Sequence, residues 1–315
     1  MREGMMTVIL PAYNEEGNIK NAVKSIGDIL QEASIEYRLL FIDDGSKDNT
    51  WSLIAEASKQ DEHVQGLHFS RNFGKESAVY AGLCNVDSAC TAVMDCDLQH
   101  PPIKLPEMYV LWQQGYDVVE GMKADRGKES VLHKAAAGTF YKMISKATGL
   151  DLQSTSDFKL LDQDVVTILR HLPERESFFR AMSFWVGFKR TSVEYEVQER
   201  MSGESKWSTS SLIKYALKSI STFSTAPMQI ITHLGVLMFV VAVILGINAL
   251  VQKIRGIALG GFTTVILLQL FIGSITMISI GIIGAYVAKI YTEIQHRPRF
   301  IISKSCGKEN IIFTR

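Results

Sequence analysis

The chain has 315 residues, and 33 Lys plus Arg balance 33 Asp plus Glu. That length exceeds one small domain and fits a soluble domain with an appendage. A net charge of zero supplies no global field that would select nucleic acid or an acidic partner, although acidic clusters mark the first half and the stretch after Ala288 is basic.

The apolar run Met5 to Leu10 is too short for the core of a secretory leader and leads into polar Asn14-Glu15-Glu16, so no such leader is expected. Thr7-Val8-Ile9-Leu10 reads as a strand closed by Pro11. An amphipathic helix is expected from Gly17 to about Ala33, with Ile19, Val23, Ile26 and Leu30 as its apolar positions. Leu39 to Ile42 is a second strand, closed by Asp43-Asp44-Gly45-Ser46. Asp48 or Asn49 can cap the helix that holds Trp51, Ile54 and Ala55. Val64 to Phe69 is a third strand, Lys75 to Leu83 a helix, and Thr91 to Met94 a fourth strand that ends at Asp95. Gly115 to Gly121 reads as a further strand, His133 to Ala147 as a helix, and Val186 to Gln198 alternates as strands do.

Strands alternating with helices predict an α/β fold, a mostly parallel sheet with helices on both faces. Ligands of such sheets lie beyond the carboxyl ends of the strands. Asn14, Asp43-Asp44 and Asp95-Asp97 all fall there, after three separate strands. The cysteines Cys84, Cys90, Cys96 and Cys306 form no C-x-x-C pair and are expected to be reduced, buried or incidental thiols.

Two later segments change the class of the protein. Ile230 to Val251 and Thr264 to Ala288 contain no Asp, Glu, Lys or Arg. Each exceeds the roughly 20 residues needed to cross a bilayer core, and the short linker Gln252 to Thr263 makes them a helical hairpin. Lys206, Lys214 and Lys218 precede the first span, while Lys289, Arg297, Arg299, Lys304 and Lys308 follow the second. The positive-inside bias therefore puts the large domain in the cytoplasm. Ser208 to Thr225 places Leu212, Tyr215, Ile220 and Phe223 near one face of a helix, a pattern that fits the membrane interface or ordinary packing equally. The expected layout is a cytoplasmic domain over 1–207, a juxtamembrane helix over 208–228, two spans over 229–290 and a basic cytoplasmic tail over 291–315. Removing everything after Pro227 is then expected to leave nucleotide binding intact.

Asp95 and Asp97, two apart in extended chain, point to the same side. Two adjacent carboxylates repel unless a cation or a proton lies between them. Hard oxygen ligands suit Mg²⁺ or Mn²⁺, and Gln99 offers a third oxygen. A divalent ion there could bridge a diphosphate and neutralise a leaving group. A lone D-x-D is usually just a solvated loop; the strand before it and the Leu98 to Pro102 stretch after it give it weight. Asp44 can accept from ribose hydroxyls or a base N–H. Pro11, Ala12, Tyr13 and Glu15 could frame the base, with Tyr13 as a stacking surface.

Val8 to Glu15, Ile42 to Ser46 and Met94 to Gln99 together resemble family 2 glycosyltransferases of the GT-A fold. Arg71-Asn72-Phe73-Gly74-Lys75-Glu76 and Ser156 to Asp162 narrow the resemblance to polyprenyl-phosphate glycosyltransferases, close to bactoprenol glucosyltransferases and dolichol-phosphate mannose synthases. Cys96 stands where Ala is usual in the D-x-D, and its side chain is expected to point away from the metal. The resemblance implies a metal, Mg²⁺ or Mn²⁺, on Asp95, Asp97 and Gln99, and a nucleotide-sugar near Pro11, Ala12, Tyr13, Glu15, Asp43, Asp44, Lys75, Asp95 and Asp97. It implies that Lys123, Arg126, Arg200, Ser205 and Lys206 bind the acceptor phosphate, that Asp157 occupies the catalytic-base position, and that Asp97 is catalytic as well. A phosphate monoester is largely dianionic at neutral pH, with a second pKa of about 6, so it needs no strong base and Asp157 can orient hydroxyls instead. Transfer of one hexose, with UDP-glucose preferred over GDP-mannose, to undecaprenyl phosphate is expected, with inversion and in a homo-oligomer such as a tetramer packed through its hairpins. A sugar nucleotidyltransferase or a non-enzymatic membrane scaffold are the rival readings. The former needs no hairpin, and the converging acidic residues argue against the latter. A processive polysaccharide synthase would carry a Q-x-x-R-W motif and more spans.

Overall fold

The computed structural model describes residues 2–123, 156–172, 179–196, 226–255 and 262–307. The described residues form two compact units, one from those up to 196 together with those from Arg297 onward, the other from 226 to His296.

The first unit is built on one eight-stranded sheet. Its strands are β1 (Met6–Ala12), β2 (Tyr37–Asp43), β3 (Val64–Phe69), β4 (Cys90–Val93), β5 (Val118–Lys123), β6 (Lys159–Asp162), β7 (Arg190–Tyr195) and β8 (Ile302–Cys306). Their order is β7-β5-β6-β4-β1-β2-β3-β8. β1 runs parallel to β2 and β4, β2 to β3, and β5 to β7. β6 is antiparallel to both β4 and β5, and β8 is antiparallel to β3. Val8, Ile9 and Leu10 are all fully buried, as expected for a central strand covered on both faces.

Helices α1 (Ile19–Glu32), α2 (Thr50–Gln60), α3 (Lys75–Cys84), α4 (Leu105–Gln113), α5 (Gln163–His171) and α6 (Phe179–Trp185) belong to this unit. α1 buries Ile19, Ile26 and Leu30 of the stripe that its sequence period predicts, together with Ala22, while Val23 is only partly buried. Asn49 is the formal N-cap of α2, but it is the Asp48 carboxylate that accepts from the Thr50 N–H, at 3.0 Å. α3 lies close on β1 because Gly82 has no side chain; a Cβ there would meet Ile9 Cγ2 at 2.5 Å.

Sequence periodicity locates β1 to β4 and the three helices between them within a few residues. β5 starts three residues later than Gly115, and the Val186 to Gln198 alternation yields the shorter β7. The sequence pattern does not mark α4, α5, α6, β6 or β8. α4 starts at Leu105-Pro106, just after Pro101-Pro102, a proline cluster that reads as loop. Proline is nevertheless tolerated in a first turn, where its missing N–H has no helical partner. The helices expected over His133 to Ala147 and Ser208 to Thr225 lie outside the described residues.

The reversal at β6 decides where its motif lies. Because β6 is antiparallel to β4, with Val93 opposite Lys159, the residues just before β6 sit at the carboxyl edge of β4. Asp157 is thereby brought to the edge that carries Asp95. β5 ends at the same edge, which places Lys123 there as well.

Glu120 and Lys159 face each other across β5 and β6. Lys159 is fully buried, with its ammonium 2.6 Å from Glu120 Oε1 and 2.7 Å from Ser183 Oγ of α6. Burial lowers the Lys159 pKa below its ordinary value despite the pull of Glu120. The strands and the helix are thus fastened by a fully desolvated charge pair.

The second unit is a pair of long helices, α7 (Ala226–Ile254) and α8 (Phe262–Ile294), of 29 and 33 residues. Ile231–Asn248 and Phe271–Ile294 are candidate membrane spans. Phe239, Ile244 and Met277 are 70%, 60% and 69% exposed. Both segments are long and apolar enough to cross a membrane.

The stretch expected to be a basic tail does more than follow the hairpin. Ile302–Cys306 forms β8 on the edge of the sheet. The sheet unit is therefore not complete at residue 207, and a chain cut after Pro227 would lose a strand as well as the hairpin.

Removing one partner of the buried pair should leave the other charge uncompensated. Glu120→Ala is expected to cost about 3–5 kcal/mol. The double change Glu120→Leu with Lys159→Met should cost less than either single one. Thermal unfolding of the detergent-solubilised protein checks this, and equal losses in single and double variants would contradict it.

Candidate active site

The loops at the carboxyl edge are stitched to one another. After β1, Asn14 adopts φ 54°, its N–H donates to Ser46 Oγ at 2.9 Å, and its side-chain oxygen accepts from the Lys47 N–H at 3.0 Å. The Glu15 N–H donates to Thr50 Oγ1 at 2.9 Å. Tyr13, on the same loop, is 42% exposed and available as a flat surface. Pro11 and Ala12 end β1; the Ala12 carbonyl accepts from the Asp44 N–H at 2.9 Å.

The two aspartates after β2 are buried and engaged. Asp43 is fully buried; its carboxylate accepts from the Ser46 N–H at 3.0 Å and from the His68 ring at 2.6 Å. Asp44 accepts from the N–H groups of Phe73 at 2.6 Å and Gly74 at 2.9 Å. Burial raises the Asp44 carboxyl above its ordinary range, against the pull of those two amides. Gly45, at φ 66°, has no alternative: a Cβ there would lie 2.4 Å from the Arg71 carbonyl carbon. The Asp-Asp-Gly-Ser turn thus grips the Arg71 to Gly74 loop, and that loop delivers Lys75 to the start of α3.

Lys75 is where the separate strands meet. Its ammonium lies 2.6 Å from Asp95 Oδ1 and 3.1 Å from Asp157 Oδ2. Arg180 of α6 holds the other side of Asp157, with Nε 3.1 Å from Oδ1 and Nη2 2.9 Å from Oδ2. Burial alone would raise the Asp157 carboxyl, but Lys75 and Arg180 outweigh it and hold the group well below the usual carboxylate range. Burial likewise works against the Lys75 ammonium, and Asp95 and Asp157 reverse it. A carboxylate so strongly stabilised in its charged form is a poor proton acceptor.

The turn after β4 is held from behind. The Cys96 thiol donates to the Pro11 carbonyl oxygen at 2.9 Å and is buried. Leu98 adopts φ 57°, uncommon for a residue with a branched side chain, and Asp97 Oδ1 accepts from the Gln99 N–H at 3.1 Å. The Asp95 N–H donates to His100 Nδ1 at 3.3 Å, which fixes the proton of a neutral His100 on the other ring nitrogen. Burial lowers the His100 pKa, in keeping with a neutral ring. That ring stacks on Phe158 at 5.2 Å and meets Tyr195 edge-on at 6.0 Å. Neither His100 nor Arg180 was singled out from the sequence. His100 follows the D-x-D by three residues, whereas Arg180 has no local motif at all.

The donor set suits a hard divalent cation. Asp95 already has a cation at 2.6 Å, in the form of the Lys75 ammonium. Among the described residues no group of three or more His, Cys, Asp or Glu side chains is arranged to hold a metal. Asp95, Asp97 and the Gln99 amide would thus supply part of a coordination sphere, and diphosphate and water the rest. Lys123 is described as strand backbone only, and Arg126, Arg200, Ser205 and Lys206 lie outside the described residues.

A mostly parallel sheet flanked by helices, with aspartates gathered at its carboxyl edge after β2 and β4, defines a GT-A-type glycosyltransferase. Residues 7–163 match the family described as glycosyl transferase family 2, and the chain belongs to that family. It is 36% identical to the prophage bactoprenol glucosyl transferase homolog of Escherichia coli K12, across 95% of this chain and 98% of that protein. It is 33% identical to the bactoprenol glucosyl transferase of Shigella phage SfII, with the same two coverages, 95% and 98%. An uncharacterized glycosyltransferase, YkcC of Bacillus subtilis, is 35% identical across 96% of this chain and 95% of that protein. Glucosyl-3-phosphoglycerate synthase of Mycobacterium tuberculosis superposes with a TM-score of 0.48 and 19% identity, over 70% of this chain and 78% of that one, a likeness too loose to bear on the argument.

Glu76, beside Lys75, accepts from the Phe179 N–H at 2.8 Å and so ties α3 to α6. Burial pushes its carboxyl up to about 7. The folded protein therefore holds a proton there that the unfolded chain releases at lower pH, and stability falls as pH rises from the ordinary carboxylate range to about 7. Glu76→Gln keeps an acceptor for Phe179 and removes the titration. It should match the parent in thermal stability near pH 5 and exceed it above about pH 7.5. A difference independent of pH would contradict this.

Proposed function

We propose that the protein transfers a single hexose from a nucleotide-sugar to a polyprenyl phosphate at the cytoplasmic face of a membrane, with UDP-glucose as donor and undecaprenyl phosphate as acceptor. The observation that carries this is the meeting of Asp95, Lys75, Asp157 and Arg180 at one sheet edge. The names of the bactoprenol glucosyl transferases, 33–36% identical over nearly the whole chain, support the lipid acceptor. The candidate spans support it independently. An anchored enzyme meets the headgroup phosphate without extracting the lipid tail, which would expose CH₂ groups at about 0.8 kcal/mol each.

Asp95, Asp97 and Gln99 would hold Mg²⁺ or Mn²⁺, which when bound neutralises the departing diphosphate. Tyr13 offers its exposed face to the base, while Pro11, Ala12, Glu15, Asp43 and Asp44 shape and brace the nucleoside end. Lys75, between Asp95 and Asp157, is placed to follow negative charge on the donor phosphates. Asp157, locked in its charged form by two cations, orients sugar hydroxyls rather than accepting a proton. The acceptor phosphate is mostly dianionic at neutral pH and attacks the anomeric carbon directly, with inversion. Lys123, Arg126, Arg200, Ser205 and Lys206 are assigned to binding it. The enzyme is further proposed to be an integral membrane homo-oligomer, a tetramer packed through the hairpins.

A donor screen with purified protein, Mg²⁺ or Mn²⁺, and undecaprenyl phosphate tests the assignment. UDP-glucose should give a lipid-linked sugar and free UDP; product from GDP-mannose alone would reverse the donor choice. Asp97→Asn should lose at least roughly 100-fold in turnover with circular dichroism unchanged. Full activity of that variant in metal-free buffer would remove the metal assignment.

Arg180→Met takes away one of the two cations on Asp157, so the carboxyl should move up toward its ordinary range. Turnover should fall, and the acid limb of the pH–rate profile should shift to higher pH. An unchanged profile at unchanged rate would show that Asp157 takes no part.

A further inference from the structure

The chain re-enters the first unit after α8, and the way it does so has a bearing on the donor site. Phe300 is fully buried. Its ring stacks on Phe69 at 5.2 Å with 12° between the planes, and Tyr80 of α3 meets it edge-on at 6.3 Å. The Arg299 guanidinium lies 3.9 Å from the Tyr80 ring centre and donates to the Leu172 carbonyl at 3.0 Å. The next residue, Ile301, accepts from the Ser70 N–H at 2.9 Å, and β8 then pairs with β3.

Ser70 opens the loop that ends in Lys75. Phe69, under Phe300, also meets Phe73 of that loop edge-to-face at 5.7 Å. The Phe73 and Gly74 amides are the ones that Asp44 holds. The loop therefore has two supports, the Asp-Asp-Gly-Ser turn on one side and the residues just after the hairpin on the other. The strand register also shifts between His68 and Phe69, where the chain leaves regular pairing to enter this loop.

We infer that residues 299–302, with Phe300 as anchor, are a positioning element of the donor site: they fix the 70–74 loop, and through it the placement of Lys75 and of the amides on Asp44. This rests on the reading of Asp44 and Lys75 as donor-side residues. It separates donor from acceptor, because the acceptor residues assigned above lie on other segments. Buried aromatic residues support stability too, so the informative readout is a change confined to the donor.

The test uses the full chain in detergent with undecaprenyl phosphate. UDP binding in the presence of Mn²⁺ is measured by calorimetry alongside the KM values of both substrates. Phe300→Ala should weaken UDP binding and raise the UDP-glucose KM by about tenfold, leaving the acceptor KM within about twofold. Phe300→Leu should recover most of the loss. Arg299→Gln leaves the Phe300 ring in place and should raise the donor KM by about threefold, which keeps the test decisive if Phe300→Ala does not fold. Donor values unchanged in the folded variants, or donor and acceptor values worsening together, would overturn the inference alone. A parent enzyme that transfers sugar but binds no UDP would overturn the donor reading and the inference with it.

Discussion

Negative charge gathered at one sheet edge is the constraint on which the rest of the molecule depends. Asp95 and Asp157 come from different strands and lie within reach of the same ammonium. Two unit charges 4 Å apart interact by about 4 kcal/mol at an effective dielectric of 20, a large part of the 5–15 kcal/mol by which domains are stable. The fold answers with cations rather than with distance. Lys75 lies between the carboxylates, and Arg180 flanks Asp157. Lys159 and Glu120 fasten behind them the helix that carries Arg180. The reversed strand β6 follows from the same requirement, since only an antiparallel neighbour of β4 can begin at the edge where β4 ends.

This arrangement also sets what the carboxylates can do. Asp157 is the obvious candidate for a base if it is read as a motif, and its surroundings make it a weak one. An acceptor that is already dianionic has little use for a base. Charge that is held in place acts through geometry rather than through proton affinity. Lys75 touches two carboxylates at once, so anything that neutralises Asp95 changes the partner balance of Lys75.

Much of the fold and part of the site are legible in the sequence. Runs such as Val8-Ile9-Leu10 and Leu39 to Ile42 are short, apolar and closed by Pro11 or by Asp43-Asp44-Gly45, which favours buried strands. That pattern by itself places Asp44, Asp95 and Asp97 at one edge. What the sequence does not carry is direction and distant partnership. Lys159-Leu160-Leu161-Asp162 starts and ends with charge, so nothing in its period marks it as a fully buried strand, and nothing tells that it runs antiparallel. Arg180 reaches Asp157 across 23 residues. Phe300 reaches Phe69 from the far side of the hairpin. Contacts of this kind depend on the order in which strands are laid in the sheet, which local patterns do not encode.

The position of the hairpin in the chain bears on how such an enzyme can work. It is an insertion, since sheet strands precede it and β8 follows it. The chain therefore leaves the sheet unit before the hairpin and returns to it afterwards, so the two are joined at two points. The second joint is short, with Ile294 at the end of α8 and Phe300 already buried in the sheet unit. Phe300 packs on Phe69, which meets Phe73, whose amide is held by Asp44. The segment by which the chain returns to the sheet is thus the one that supports the loop carrying Lys75.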